Sequence, residues 1–102
     1  MYKIKFTEKF EKKLYKLIPQ ALQGQTWKRI RGLAKNPYSG KQLRYPFIRE
    51  LKIEKFRIYF IIFDKEIVVL LVNVSDKKDQ QEVIDWICDN KKLLYNYVKN
   101  LK

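Results

Sequence analysis

The side chains best placed for chemistry in this chain are cations and carboxylates, with no histidine among them. Glu50 and Lys52 alternate on one predicted strand, Arg57 and Tyr59 on the next, and Asn73, Ser75 and Lys77 share a parity near the end of a third. In an extended chain, residues two apart share a face. Leu51 and Ile53 belong to the core, so Glu50 and Lys52 point the opposite way. If the register aligns the strands, Glu50, Lys52, Arg57, Tyr59 and Lys77 line one concave side of a sheet. Such a set suits phosphate chemistry: cations hold the scissile group and stabilise a dianionic transition state, while a carboxylate or lysine handles the proton. The same residues also describe a solvated face of cross-strand ion pairs worth about 1 kcal/mol or less each, and alternation alone favours that simpler description.

The missing histidine excludes a Ser-His-Asp triad, a Cys-His pair and a histidine zinc ligand, leaving Lys, Arg, Glu, Asp and Tyr for proton transfer. Cys88, the only cysteine, forms no internal disulfide and, beside Trp86 and Ile87, reads as a small buried hydrophobe. No signal-peptide pattern opens the sequence, and the longest apolar runs, Ile58 to Phe63 and Ile67 to Val72, are six residues each. Neither run spans a bilayer, and the expectation is a soluble cytoplasmic protein.

Lys plus Arg number 23 against 11 Asp plus Glu, a formal charge of +12 on 102 residues that are 46% hydrophobic. That apolar content rules out a disordered basic tail, so the charge sits on one folded domain, residues 1–102. A balance of this sign marks a polyanionic partner, nucleic acid foremost, because neutralised phosphates release counterions. A Lys-rich solubilising surface is the plainer explanation.

The elements that must position these residues follow from periodicity. Tyr2 to Phe6 alternates as a half-buried strand, and Thr7 stands as the N-cap of a helix carrying Phe10, Leu14, Leu17 and Ile18 until Pro19. A second helix carries Leu22, Trp27, Ile30, Leu33 and Ala34, with Lys28, Arg29, Arg31 and Lys35 between them. Asn36 to Gly40 is a loop by composition. Three strands follow, Phe47 to Ile53, Phe56 to Phe63 and Glu66 to Ser75, joined by Glu54-Lys55 and Asp64-Lys65, links so short that the strands run antiparallel. The middle and last are apolar on nearly both faces, hence central and covered. A final helix, about 79–102, starts at an Asp79 N-cap with Glu82 three residues on and is weakest at Asp89-Asn90. The expected fold is α+β, β-α-α-β-β-β-α, with helices on one face of a four-stranded, mainly antiparallel sheet packed by the N-terminal helices.

The stretch NPYSGKQLRYPFIRELKIEKFRIYFIIFDKEIVVLLVNV, residues 36–74, resembles the second half of a toxin of the RelE/ParE superfamily. The likeness lies in an ordered set: a helix, a Pro-containing loop, an RELK strand, the Phe56-Arg57 pair opening the next strand, and the Asp64-Lys65 hairpin before an Ile/Val strand. With the N-terminal strand and helices it covers about residues 1–84.

That resemblance implies a toxin of a type II toxin-antitoxin system: a ribosome-dependent mRNA endonuclease that uses the ribose 2′-hydroxyl as nucleophile and needs no metal or cofactor. Carried across by position, Arg57 would bind the scissile phosphate, Lys52 would act as base or transition-state stabiliser, and Lys77 would stabilise charge on the phosphate or leaving group. Lys78, Tyr59 and Arg49 are the accompanying RNA-binding candidates, Tyr59 as a base-stacking ring. Two departures stand out: Glu50 occupies the place of a second family lysine, where it would serve as base or spoil the site, and Val83-Ile84 replace a family tyrosine. The implied partners are an acidic antitoxin, in a hetero-oligomer, and mRNA on the ribosome, with no membrane. A ParE-like inhibitor of DNA gyrase and a non-catalytic nucleic-acid or protein-binding member of the fold remain open alternatives. The long C-terminal helix would cover the sheet, dock a partner or obstruct the site.

Overall fold

A computed structural model describes residues 1–101 of the chain. Its elements run β1 (Lys3–Phe6), α1 (Glu8–Leu17), α2 (Gln20–Gly32), β2 (Lys41–Gln42), β3 (Ile48–Ile53), β4 (Phe56–Phe63), β5 (Val68–Asp76), α3 (Gln80–Asp89) and α4 (Lys91–Asn100). The strands form one mixed sheet in the order β1-β5-β4-β3-β2, parallel only between β1 and β5.

β4 and β5 form the centre because both parities of their sequences are apolar. Ile58, Phe60, Ile62, Val69 and Leu71 meet Phe10, Leu14, Ile18, Ile30 and Leu33 of the N-terminal helices. The opposite parity, with Tyr59, Ile61, Leu70 and Val72, meets Val83, Ile84 and Ile87 of α3 and Leu94 and Val98 of α4. Thr7 caps α1 as its position predicts, accepting from the Phe10 N–H at 3.0 Å.

Several expectations need correction. The sheet has a fifth strand, β2, whose two residues are too few to show any alternation. Helices cover both faces rather than one, because the C-terminal segment leaves helical geometry at Asn90 (φ −118°, ψ 22°) and lays α3 and α4 over the second face. Lys102, the last residue of that expected helix, lies outside the described residues. β5 begins at Val68, not Glu66, because Asp64 to Ile67 form a four-residue turn closed by the Ile67 N–H on the Asp64 carbonyl (3.1 Å), with Ile67 at φ 57°. The cap near the last helices is Asp76, which accepts from the Asp79 N–H at 3.3 Å, whereas Asp79 makes no capping hydrogen bond. Cys88 is free and half-buried against the second core.

One irregularity decides which polar groups meet. Tyr59 pairs with Asn73, but Phe60 pairs with Leu71, leaving Val72 as an extra residue in β5. Strict alternation would send Asn73 and Ser75 into the first core with Val69 and Leu71. The bulge turns them to the face of Arg57 and Tyr59 instead.

Candidate nucleic-acid interface

The hairpin of β3 and β4, turned at Glu54-Lys55 with Glu54 at φ 54°, places Lys52 opposite Arg57 and Glu50 opposite Tyr59. The Lys52 carbonyl points away from β4, where it accepts from Arg29 Nη1 of α2 at 2.5 Å. Lys52 and Arg57 are therefore a non-hydrogen-bonded pair, the kind in which facing side chains lie closest, with Cα atoms roughly 4.5 Å apart. Two like charges opposed in this way oppose folding. A site for an anion gives that arrangement a use.

Behind this pair lies a closed polar network. Arg57 is 8% exposed and Glu50 4%, and their ion pair spans 3.5 Å from Nε to Oε2. Glu50 Oε1 also accepts from Gln80 Nε2 of α3 at 2.5 Å, and Arg57 Nη1 donates to the Phe56 carbonyl at 3.3 Å. The Tyr59 hydroxyl lies 2.7 Å from Ser75 Oγ, and Ser75 donates to the Asp76 carbonyl at 2.8 Å. Ser75 has one hydrogen to give, so Tyr59 is the donor in their bond. Burial pushes the Tyr59 phenol up, keeping it neutral.

In front lies an open cavity of about 520 Å³ lined by Lys52, Glu54, Lys55, Arg57, Asp76, Lys77 and Lys78. Lys52, Lys77 and Lys78 are exposed, and none of them forms an ion pair with a described residue. The structure thus gathers four of the predicted residues, Lys52, Arg57, Lys77 and Lys78, around one space.

The other three stand differently. Tyr59 is fully buried, its ring in the second core, so it offers no face on which a base could stack. Glu50 is held between Arg57 and Gln80, so its carboxylate is an anchor for the arginine rather than an open base. Arg49 points to the opposite side of β3, donating to the carbonyls of Pro46 (2.8 Å), Gly40 (3.0 Å) and Tyr38 (3.2 Å) and lying over the Tyr38 ring. It holds a loop. Arg29 and Gln80 touch the site without having been expected there; they reach it from 23 and 30 residues away, and nothing local in the sequence marks them. Among the described residues no three His, Cys, Asp or Glu side chains stand together as a metal site, and no helix is long and apolar enough to cross a membrane.

The sequence matches the family model described as ParE toxin of type II toxin-antitoxin system, parDE, over residues 4–81. No curated protein matches it in sequence. Among solved structures it resembles a mutant of E. coli toxin RelE in the free state, with a TM-score of 0.68, 20% identity, and coverage of 84% of this chain and 97% of that one. It also resembles the toxin-antitoxin complex RelBE2 from Mycobacterium tuberculosis (TM-score 0.63, 22% identity, 74% of this chain and 98% of that one). The RelB-RelE antitoxin-toxin complex from Methanococcus jannaschii matches at a TM-score of 0.59 and 16% identity, covering 78% of this chain and 96% of that one. At such identities the likeness is one of fold.

Proposed function

The chain belongs to the family of ParE toxins of type II toxin-antitoxin systems, within the RelE/ParE superfamily, and from that premise we propose that it is a RelE-like endoribonuclease that cuts mRNA on the ribosome. The observation supporting this is the group of exposed cations without carboxylate partners among the described residues, Lys52, Lys77 and Lys78, around the cavity that Arg57 borders. In the reaction the 2′-hydroxyl of one nucleotide attacks the adjacent phosphorus, and the bond to the 5′-oxygen breaks, giving a 2′,3′-cyclic phosphate and a 5′-hydroxyl. Arg57, held by Glu50, grips the phosphate. Lys52 lies beside it and, as a cation, stabilises the charge developing on the phosphate; with Glu50 and Tyr59 closed off, the hydroxyl proton passes to water and the leaving 5′-oxygen takes one from water. Lys77 offsets charge on the leaving oxygen. Fixed cations of this kind act where charge develops and need no reorganisation during the step.

An acidic antitoxin is the proposed partner in the cytoplasm, since complementary charge steers such a pair together and the similar structures include toxin-antitoxin complexes. In a translation extract the parent protein should cut mRNA and leave cyclic-phosphate ends. The double variant Lys52→Ala, Lys77→Ala, altered only at exposed positions, should fold normally and cut at least 100-fold more slowly, as removal of a charge-stabilising donor does (about 10²–10³). Cutting at the parent rate by a folded variant would overturn the assignment.

A second reading is the ParE-like alternative, inhibition of DNA gyrase, whose support is the match to the ParE toxin family model over residues 4–81. It predicts loss of supercoiling by purified gyrase with RNA left intact.

A further inference from the structure

We propose that the Lys52–Arg57 pair is flanked by a second anion site, formed by Arg29 and Lys41, that holds the neighbouring phosphate of a bound single RNA strand. The proposal rests on the endoribonuclease reading for the identity of the strand, and on separate geometry for the site.

β2 covers β3 only at Arg49 and Glu50. From Leu51 onward the outer edge of β3 has no strand beside it, because the preceding chain peels away through the turn Pro37–Ser39 and Gly40. The gap between that edge and α2 is a cavity of about 290 Å³ whose lining includes Arg29, Ser39, Lys41, Lys52 and Arg57. Lys52 and Arg57 also line the 520 Å³ cavity described above. The two spaces therefore adjoin across the pair that would hold the scissile phosphate, one on each side.

The chemistry of the second space suits an anion. Arg29 makes one hydrogen bond among the described residues, to the Lys52 carbonyl, and that bond fixes its guanidinium at the strand edge with donors left over. In an extended strand the N–H and carbonyl of one residue point the same way, so the Lys52 N–H faces this space as well. Lys41 is exposed and forms no ion pair with a described residue. The one carboxylate in the lining is Glu50, and it is committed to Arg57 and Gln80. Point cations beside a fixed guanidinium fork, with a backbone N–H between them, are donors matched to phosphate oxygens. A strand crossing the pair would place one phosphate on Lys52 and Arg57 and the next on Arg29 and Lys41.

The test uses uncleavable 2′-O-methyl RNA, a dinucleotide with one internal phosphate and a hexanucleotide, with binding followed by fluorescence anisotropy at several salt concentrations. The variants are Lys41→Ala, Arg29→Lys and Arg29→Ala with Lys41→Ala, each checked for folding by circular dichroism. Arg29→Lys guards against loss of the strand edge. For the double variant the slope of log affinity against log salt should flatten by about 1.4 on the hexanucleotide, two lost contacts at about 0.7 each. Lys41→Ala should flatten it by about 0.7. Dinucleotide binding should stay unchanged. An unaltered hexanucleotide slope in the folded Lys41→Ala and double variants overturns the second site while Lys52→Ala, Lys77→Ala still loses binding, leaving the endoribonuclease reading intact. Equal losses on both lengths would make Arg29 and Lys41 part of the first site. A parent that binds polyglutamate as tightly as RNA, with the same dependence on Arg29 and Lys41, would assign the space to an acidic protein instead and overturn the proposal.

Discussion

Removing both partners of the Glu50–Arg57 pair should harm the protein little more than breaking the pair from one side. Glu50→Gln keeps the side-chain shape and an oxygen for Gln80, but leaves the guanidinium of a residue only 8% exposed without its counter-charge. Loss of one partner of a buried pair costs about 3–5 kcal/mol. The lower end, about 3 kcal/mol, applies here because Arg57 borders the open cavity and keeps its bond to the Phe56 carbonyl. Arg57→Met should cost a similar amount by stranding the carboxylate. In the double variant neither charge is stranded, and its loss should fall short of the sum of the two single losses by about 2–3 kcal/mol. At about 4–8 °C per kcal/mol for a domain of this size, Glu50→Gln alone should lower Tm by roughly 12–24 °C. Urea unfolding followed by circular dichroism at fixed pH and salt gives all four corners of the cycle. Losses that add to within about 0.5 kcal/mol would mean that the two groups do not meet in solution. Glu50 would then be free to act as a base. The same magnitudes explain why Arg57→Ala is a poor test of catalysis: it confounds lost chemistry with lost fold.

Three further outcomes follow from single positions. Lys52→Glu turns an opposed like-charge pair with Arg57 into an opposite one and should raise stability by about 0.5 kcal/mol in urea unfolding while abolishing RNA cutting. Gly40→Ala would put a Cβ 2.6 Å from Phe60 Cζ and 3.0 Å from the Glu50 carbonyl oxygen; with Phe60 fully buried, the chain must shift, and stability should drop by about 1–3 kcal/mol in the same assay. Asp64 accepts from the hydroxyls of Tyr2 (2.5 Å) and Tyr38, and these bonds hold its carboxyl below the usual range while pushing the Tyr38 phenol up to about 12. A carboxyl lowered in the folded state binds fewer protons there than in the unfolded state, so its contribution is present above the ordinary carboxylate pKa and is lost as pH falls through the folded value. Asp64→Asn should therefore be less stable than the parent at pH 6, with the difference closing as pH falls below about 4, read from urea midpoints.

What the sequence discloses about the fold depends on how far each element's partners lie along the chain. β3, β4 and β5 are readable from alternation and from short links, two residues between β3 and β4 and four between β4 and β5, because antiparallel neighbours joined by a tight turn are a local property. β2 is not readable: Lys41 and Gln42 carry no apolar pattern and are strand only because Glu50 and Arg49 happen to be free beside them. The doubly apolar β4 does ask for cover on both faces, and with α1 and α2 on one of them, α3 and α4 are the elements left for the other. For the site, parity correctly puts Glu50, Lys52, Arg57 and Tyr59 on one face, yet parity carries no depth. Tyr59 and Glu50 differ from Lys52 in burial because α3 and α4 stop short of the hairpin end, a fact of tertiary packing. Arg49 fails for the complementary reason, since the odd parity that aims Leu51 at the core also aims Arg49 away from the cavity.

The bulge and Tyr59 together explain how one face of the sheet can be core at one end and cation-lined at the other. Along β5 the bulge lets Leu70 and Val72 lie under α3 and α4 and then puts Asn73 and Ser75 on that same side. Tyr59 sits at the changeover, with its ring among the apolar residues and its hydroxyl donating to Ser75. Beyond it the next pair outward is Lys52 and Arg57, which no helix could cover without burying a second cation beside a carboxylate already committed to the first. Desolvating that extra charge is opposed by several kcal/mol. The cover therefore stops where Gln80, at the start of α3, meets Glu50, and the same energetics that end the second core leave the cations open to solvent and to phosphate.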